Sequence, residues 1–228
     1  MAVDERNLAE TFKHHGFPLT SYQVAQLKLY RAELLRWNKR INLTAITDNV
    51  EILHKHFLDS LRVLEYISLE AGDSVVDIGT GAGFPGVVLK IYVPDIRLTL
   101  VEASKKKVSF LKFLVSQLKL HQRVGVEILA ERAEVCVQQA RHIGAYDWVF
   151  TRYVATIQDS ATYCLPLLKP TGKWIAYKAG EAAVETEINR SSAGLNRLGG
   201  RIETVFKDSR FNRSYVVMCP VAPRTKLC

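Results

Sequence analysis

The chain has 228 residues, of which 48% are hydrophobic and 24% are charged, and its formal net charge is +8. These values are typical of one soluble α/β core with additions, and they argue against two domains of equal size. No apolar run approaches the roughly 20 residues that a membrane span needs. The N-terminus also lacks the basic start and apolar core of a signal peptide, so we expect a cytoplasmic protein.

The cysteines are scattered and form no C-x-x-C pair, so neither a disulfide framework nor a structural zinc site is expected. They are Cys136, Cys164, Cys219 and Cys228. His54 and His56 lie two residues apart on a predicted helix and therefore point to different faces. We predict no metal site.

The first part of the chain, residues 1–68, reads as a helical N-terminal segment. Thr20 and Gln23 have the spacing of a capping box, and Asp48 precedes a second run with helical apolar spacing. A polar and aromatic connection, residues 37–44, separates the two helical runs.

Residues 69–228 show a different pattern, in which short apolar runs alternate with helical patterns. Such alternation predicts an α/β fold with a doubly wound, mostly parallel sheet and helices on both faces. Two late runs have no helix between them and predict an antiparallel C-terminal hairpin at one edge. With this hairpin the sheet has seven strands, predicted at 75–78, 98–101, 124–129, 148–150, 174–177, 201–206 and 214–218.

A glycine cluster with the spacing G-x-G-x-x-G, formed by Gly81, Gly83 and Gly86, follows the first predicted strand. Its backbone amides are expected to face the crevice beyond the strand ends, where open sheets bind ligands. The spacing alone is weak evidence, because a tight turn without a ligand or a dinucleotide site has the same spacing.

Two acidic residues favour a donor without phosphate. Asp77, at the end of the first strand, suits an ammonium or sulfonium group better than a pyrophosphate. Glu102 ends the second strand, where a carboxylate can accept hydrogen bonds from both ribose hydroxyls. S-adenosylmethionine carries both cations and a ribose but no phosphate. Residues 130–134 follow the third strand, from which an adenine edge can be contacted.

Motifs that are absent from the chain narrow the class of methyl acceptor. The chain has no Pro-Pro dipeptide, which exocyclic amino-group methyltransferases for nucleobases use, and no Pro-Cys pair, which is usual in pyrimidine C5 methylation. Both absences favour an acceptor that needs little activation. Guanine N7 has a nucleophilic lone pair outside the aromatic system, so proximity to the methyl group can replace a general base. This acceptor agrees with the lack of a recognisable catalytic acid–base pair in the chain, but a protein that is not an enzyme would lack such a pair too.

The chain resembles the bacterial small-subunit ribosomal RNA guanine-N7 methyltransferases, the family once called glucose-inhibited division protein B. The resemblance covers nearly the whole chain and is carried by segments 37–44, 56–60, 77–86, 132–134, 151–155 and 177–180. It implies a class I methyltransferase fold and S-adenosylmethionine-dependent methylation of N7 of one guanine in a conserved loop of 16S ribosomal RNA.

The resemblance also implies which residues bind the donor. By position these are Gly79, Phe84, Ala133, Glu134 and Arg152, with Glu102 at the ribose. Asp77 and Gly81 complete the set predicted from the glycine loop, and Arg152 is the one side chain expected to aid catalysis. The chain departs from the family pattern at two places. The family often has Arg-Ala or Arg-Ala-x-Ala where this chain has Arg-Tyr-Val-Ala at residues 152–155. It also often has serine at the position of Ala103.

The basic excess predicts a polyanionic partner, namely 16S RNA or the small ribosomal subunit. From residue 190 onward the chain has eight Lys or Arg residues and two acidic residues, which gives this part a net charge of +6. The same count is found on simply solvated surfaces. The predicted RNA-contacting residues are Lys105, Lys106, Lys107, Lys178, Arg210 and Arg213.

Three alternatives remain open from the sequence: a nicotinamide oxidoreductase, a methyltransferase for a small molecule or protein, and a non-catalytic RNA-binding protein with a vestigial donor site. Asp77 beside the glycine loop counts against the first. We expect a monomer.

Overall fold

The computed structural model describes residues 5–122 and 124–221. The seven predicted strands are confirmed. They are β1 (Ser74–Ile78), β2 (Arg97–Val101), β3 (Val126–Leu129), β4 (Tyr146–Arg152), β5 (Leu168–Ala179), β6 (Gly200–Asp208) and β7 (Arg213–Pro220). The α-helices are α1 (Glu5–His14), α2 (Ser21–Asn38), α3 (Asn49–Ile52), α4 (Asp59–Leu61), α5 (Gly86–Tyr92), α6 (Lys105–Gln117), α7 (Ala133–Cys136), α8 (Ile157–Leu167) and α9 (Glu181–Arg197).

The two predicted helix starts are present. Thr20 and Gln23 form a reciprocal capping box at α2, and the Asp48 carboxylate accepts hydrogen bonds from two backbone amides at α3. Between α3 and α4 the helix continues in π geometry over Leu53–Leu58, and a 3-10 turn, Arg62–Glu65, follows α4. The apolar periodicity of this region did not indicate the change of helical geometry.

The strands form one sheet in the order β3-β2-β1-β4-β5-β7-β6. Neighbouring strands from β3 to β5 are parallel, whereas β7 is antiparallel to both β5 and β6. The predicted doubly wound, mostly parallel sheet with a terminal hairpin is therefore confirmed. The last strand lies inside the sheet, and β6 forms its edge.

Alternate residues along each strand enter two separate apolar cores, because successive side chains in a strand point to opposite faces. Val75 belongs to the core shared with α2, α5 and α6, and Val76 to the core shared with α8 and α9. The N-terminal helices thus complete one face of the sheet. The division between residues 1–68 and 69–228 stays a prediction, since a common core joins the two parts.

Buried ion pairs also tie the N-terminal helices to β6. Arg62 has no exposed surface, and its Nε donates to the Asp208 carboxylate at the end of β6. Glu65 also forms an ion pair with the Arg62 guanidinium, and its Oε1 lies 3.0 Å from Arg62 Nη2.

We expect Asp208→Ala to lower the free energy of unfolding by about 3 kcal/mol, since it leaves the buried Arg62 charge with only Glu65. The control is Glu203→Ala on the same strand, because Glu203 and its partner Lys173 are both partly exposed. That change should cost less than about 1 kcal/mol. Urea unfolding of both variants checks the difference, and equal losses would contradict the structural role of the Arg62–Asp208 pair.

Candidate functional site

The glycine loop, residues 79–86, connects the carboxyl end of β1 to α5. Gly79, Gly81 and Gly83 have φ angles of +67°, +61° and +100°, a region that side chains disfavour. The Gly79 amide donates to the Val101 carbonyl at the end of β2, with 2.9 Å between N and O. The loop is thereby fixed across the ends of two strands.

A cleft opens beside this loop, and we call it the strand-end cleft. Its volume is about 180 Å³. It brings together four of the residues that were predicted to bind a donor, which are Gly79, Glu102, Ala133 and Glu134. Val154 and Tyr163 supply apolar surface to the same cleft.

Glu102 connects the cleft to the glycine loop. Its Oε2 accepts a hydrogen bond from the Gly81 amide at 3.0 Å, and its Oε1 accepts one from the Ser104 amide at 2.8 Å. These two amides fix the carboxylate at the end of β2, and each oxygen retains a lone pair for a further donor. The arrangement suits a ligand that presents two hydroxyl groups.

The structure corrects the expectation for Asp77. Its side chain has no exposed surface and lies beneath the glycine loop instead of facing the cleft. Oδ2 accepts hydrogen bonds from Thr80 Oγ1 at 2.6 Å and from the Gly86 amide at 2.8 Å. Strand periodicity placed Asp77 at the correct position, but it did not reveal that the loop folds over the carboxylate. Asp77 therefore shapes the loop from below.

Burial raises the pKa of Asp77 to about 7, although its hydrogen bonds from Thr80 and Gly86 act in the opposite direction. Its Oδ1 has no hydrogen-bond partner among the described residues. A carboxylate in this position is costly when ionised, because desolvation is only partly offset.

Phe84 and Arg152 also lie in the interior, not in the strand-end cleft. Phe84 is stacked between His56, at a centroid distance of 4.5 Å, and Tyr30, at 5.2 Å. The guanidinium of Arg152 lies 5.7 Å from the centre of the Phe84 ring. Both side chains support the loop and the end of β4, and their role in donor binding stays a prediction.

Arg152 belongs to a buried charge cluster that we define by Asp59, Arg152 and Arg213. Asp59 Oδ2 lies 3.0 Å from Arg152 Nη2, and Asp59 Oδ1 accepts from Arg213 Nε at 2.7 Å. Asp59 thus binds two guanidinium groups. The interaction is invisible in the sequence, because its partners are distant in the chain.

His56 adjoins this cluster in its neutral form. Burial and the nearby charge of Arg152 lower its pKa to about 4, although Asp59 acts to raise it. Arg152 Nη2 donates to His56 Nδ1 at 3.3 Å, so Nε2 carries the proton and donates to Thr44 Oγ1 at 2.7 Å. Both ring nitrogens are engaged, which leaves His56 unsuited to accept a proton from a substrate.

The predicted RNA contacts fall into two groups. Lys105 and Lys106 are exposed at the start of α6, Lys107 is half-buried, and Arg210 is exposed although it pairs with Glu65 and Asp208. In contrast, Lys178 donates to the Ala155 carbonyl and to Glu187.

Arg213 requires a correction, since only 7% of its surface is exposed. It was predicted to contact RNA, but this first residue of β7 points inward to Asp59.

A second cavity of about 300 Å³ is lined by Arg152. Its walls also include Lys55, His56, Tyr153, Asn212 and Arg213. Tyr153 directly follows β4 and is 67% exposed.

Within residues 5–122 and 124–221 no group of three or more His, Cys, Asp or Glu side chains has an arrangement that suits a metal ion. Over the same ranges no helix is long and apolar enough to cross a membrane. Cys136, Cys164 and Cys219 are buried free thiols, and Cys228 lies outside the described residues.

The raised pKa of Asp77 predicts a distinctive pH dependence. The native state retains a proton on Asp77 between about pH 4 and 7 that the unfolded chain has lost, so this contribution to stability falls as pH rises through that window. Relative to the wild type, Asp77→Asn should gain about 2 to 3 kcal/mol of unfolding free energy between about pH 5 and 8.

Asp147→Asn is the control, because the pKa of Asp147 is shifted in the opposite direction to that of Asp77. Partial burial acts to raise the pKa of Asp147, but the hydrogen bond and charge of Lys169 outweigh it and lower the pKa. Its contribution is therefore constant between pH 5 and 8 and is lost only at lower pH. Urea unfolding at both pH values tests this, and a constant difference between Asp77→Asn and the wild type would contradict the raised pKa.

Comparisons with known proteins agree with this geometry. The family model described as "rRNA small subunit methyltransferase G" matches residues 23–208. The protein named "Ribosomal RNA small subunit methyltransferase G" from Roseiflexus sp. (strain RS-1) is 41% identical over 222 residues, which cover 95% of this chain and 91% of that protein. The protein of the same name from Moorella thermoacetica is 40% identical over 205 residues, covering 90% and 83%.

Solved structures show the same fold at low identity. A SAM dependent methyltransferase from Aquifex aeolicus matches with a TM-score of 0.56 and 18% identity over 75% of this chain and 93% of that one. M. jannaschii TYW2, solved in complex with AdoMet, matches with a TM-score of 0.54 and 16% identity over 76% of each chain. The extent of the family match and the identity to full-length relatives establish that this chain belongs to the rRNA small subunit methyltransferase G family.

Proposed function

We propose that the protein transfers the methyl group of S-adenosylmethionine to N7 of a single guanine in 16S ribosomal RNA. The observation that carries the proposal is the strand-end cleft, where the glycine loop and Glu102 meet at the ends of β1 and β2 in a chain of this family. This is the crevice in which open α/β sheets bind their ligands.

The hydrogen bonding of the loop favours this donor over a dinucleotide. In dinucleotide sites the amides of such a loop and the following helix N-terminus bind a pyrophosphate. Here the Gly81 amide is already bonded to the Glu102 carboxylate, and the Asp77 carboxyl occupies the Gly86 amide. The Glu102 carboxylate at the loop disfavours a pyrophosphate and is compatible with a cationic donor. A nicotinamide oxidoreductase is therefore disfavoured.

We assign the donor contacts as follows. The backbone at Gly79 and Gly81 faces the amino acid part, Glu102 accepts from the ribose hydroxyls, and Ala133 with Glu134 borders the adenine. Asp77, Phe84 and Arg152 act on the donor indirectly by holding the loop and the end of β4. The proposed methyltransferase unit comprises residues 69–228, and the helical segment 1–68 covers one face of its sheet.

The volume of the strand-end cleft is smaller than the roughly 300 to 1,000 Å³ of most ligand pockets. Val154 limits it, since a Cβ placed on Gly79 would lie 2.8 Å from Val154 Cγ2. Donor binding therefore requires the Val154 side chain to turn away from Gly79. Val154 is exposed and follows the strand end, so this movement disturbs little buried surface.

The chemistry requires no proton acceptor. The donor supplies an electrophilic methyl group; the bond from its carbon to N7 forms as the carbon–sulfur bond breaks, and the sulfur becomes neutral. N7 loses no proton, which agrees with the engaged and neutral His56. The protein contributes mainly by holding the two reactants in line, a proximity effect that can reach effective molarities of roughly 10⁵ to 10⁸ M.

The RNA surface is assigned to exposed basic residues. Lys105 and Lys106, with Lys107 behind them, and Arg210 are available to phosphates, whereas Lys178 and Arg213 act through their intramolecular partners. The net charge of +8 favours association with a polyanion. We propose that the protein acts as a monomer in the cytoplasm on the small subunit or its RNA.

The proposed reaction predicts N7-methylguanine at one site. Purified protein, labelled S-adenosylmethionine and small subunits from a strain without this methylation are combined, and the digested RNA is analysed by mass spectrometry. Methyl transfer that persists without RNA would indicate a small-molecule or protein acceptor. RNA binding that is unaffected by donor analogues, with no product, would indicate a non-catalytic protein.

Gly81→Val should weaken donor binding at least tenfold in titration calorimetry, because valine is strained at a φ of +61° and fills the space that the donor approaches. Gly144→Val is the matched control, since Gly144 has a φ of +62° and lies outside the cleft. Both variants carry similar backbone strain. Equal donor affinity in the two variants would refute the placement of the donor.

A further inference from the structure

Tyr153 has a conformation that its own packing does not explain. Its φ angle is +55°, a region unfavourable for any residue with a side chain, and its ring is 67% exposed. Exposure means that little burial offsets the backbone cost. Residues held in this way are concentrated at ligand-binding sites, where the strain is maintained by the surrounding structure.

Two guanidinium groups support the ring. The Cζ atom of Arg213 lies 5.0 Å from the ring centre of Tyr153, and that of Arg152 lies 5.5 Å from it. Both arginines are fixed by Asp59, so the ring is carried on a rigid base. An exposed aromatic ring on such a base is suited to stack with a planar group.

Arg213 forms part of the wall of the second cavity and is 7% exposed. Its Nε and Nη2 both bind Asp59, at 2.7 and 3.1 Å. The guanidinium is therefore held in one orientation, with its charge fixed against the Tyr153 ring.

The position of Tyr153 connects the two cavities. Val154 lines the strand-end cleft, whereas Tyr153 lines the second cavity, so consecutive residues face the two sites. Thr151 of β4 is paired with Ile78 of β1, immediately before the glycine loop. A group bound in the second cavity is therefore next to the place assigned to the donor.

The chemistry of the cavity selects a nucleobase over a phosphate. A phosphate would use the cationic groups but not the exposed ring, whereas a purine presents a planar face that can stack on the ring.

We propose that the second cavity binds the guanine that accepts the methyl group, with the base stacked on Tyr153. This assignment rests on the proposed function and adds to it a residue that positions the acceptor base.

The kinetic test compares Tyr153→Leu, Tyr153→Phe and the wild type on small subunits at saturating donor. Leucine and phenylalanine meet the same backbone strain at φ +55°, so the comparison isolates the ring. Tyr153→Leu should lower kcat/KM by about 5- to 150-fold, the range for one stacked base, and Tyr153→Phe should remain near the wild type. Donor affinity should not change in either variant.

The matched control is Tyr22→Leu, because Tyr22 is 57% exposed on α2 and borders neither cavity. It should retain wild-type kcat/KM. If Tyr153→Leu behaves like Tyr22→Leu while the wild type methylates subunits, the base-stacking role of Tyr153 is wrong even though the proposed function holds.

A binding test needs no methyl transfer and so separates the two proposals. Saturation-transfer NMR should detect guanosine 5′-monophosphate on the wild type and lose it on Tyr153→Leu. Equal binding of ribose 5-phosphate would reveal a phosphate site and would overturn the assignment. Guanosine binding that depends on Tyr153, in a protein that methylates no RNA, would instead refute the proposed function alone.

Discussion

Asp59 holds together three parts of the chain that are remote in sequence. Its carboxylate, which is 1% exposed, binds Arg152 at the end of β4 and Arg213 at the start of β7. Arg152 also donates hydrogen bonds to the Lys55 carbonyl and to Ser60 Oγ in the N-terminal helices. Since breaking a buried pair by removing one partner costs about 3 to 5 kcal/mol, the position of the N-terminal helices on the sheet depends on this carboxylate.

The same cluster determines the electrostatics of the site. Two guanidinium groups share one carboxylate, so the cluster retains a net positive charge where the strands end. Most of this charge is buried, and a buried charge is screened by salt much less than a surface lysine. The cluster thus provides a local attraction for an electron-rich base, whereas the exposed lysines of α6 provide a longer-range attraction that salt weakens.

The features that were predictable from the sequence depend on local patterns. The strands, the two helix caps and the glycine loop follow from periodicity and from residue types with specific backbone preferences. Glu102 was located because a strand end determines where its last side chain lies. Family resemblance added Ala133 and Glu134, which periodicity alone did not single out.

The features that were missed depend on which way a polar side chain points after packing. Asp77 turns under the loop, Arg213 turns toward Asp59, and Phe84 enters an aromatic stack with His56 and Tyr30. The orientations of Arg213 and Phe84 are decided by partners far away in sequence, whereas Asp77 bonds to Thr80 and Gly86 in the loop that folds over it. The change to π geometry at Leu53–Leu58 is also non-local, because it brings Lys55 and Asp59 to the same arginine.

The place of β7 in the sheet has a consequence for how the protein is made. Among the described strands this one is synthesised last, yet it lies between β5 and β6 and supplies Arg213 to Asp59. Until β7 is present, β6 has no strand to pair with among those described, and Asp59 has only Arg152. The sheet edge and the second cavity are therefore completed together, when β7 pairs with β5 and β6.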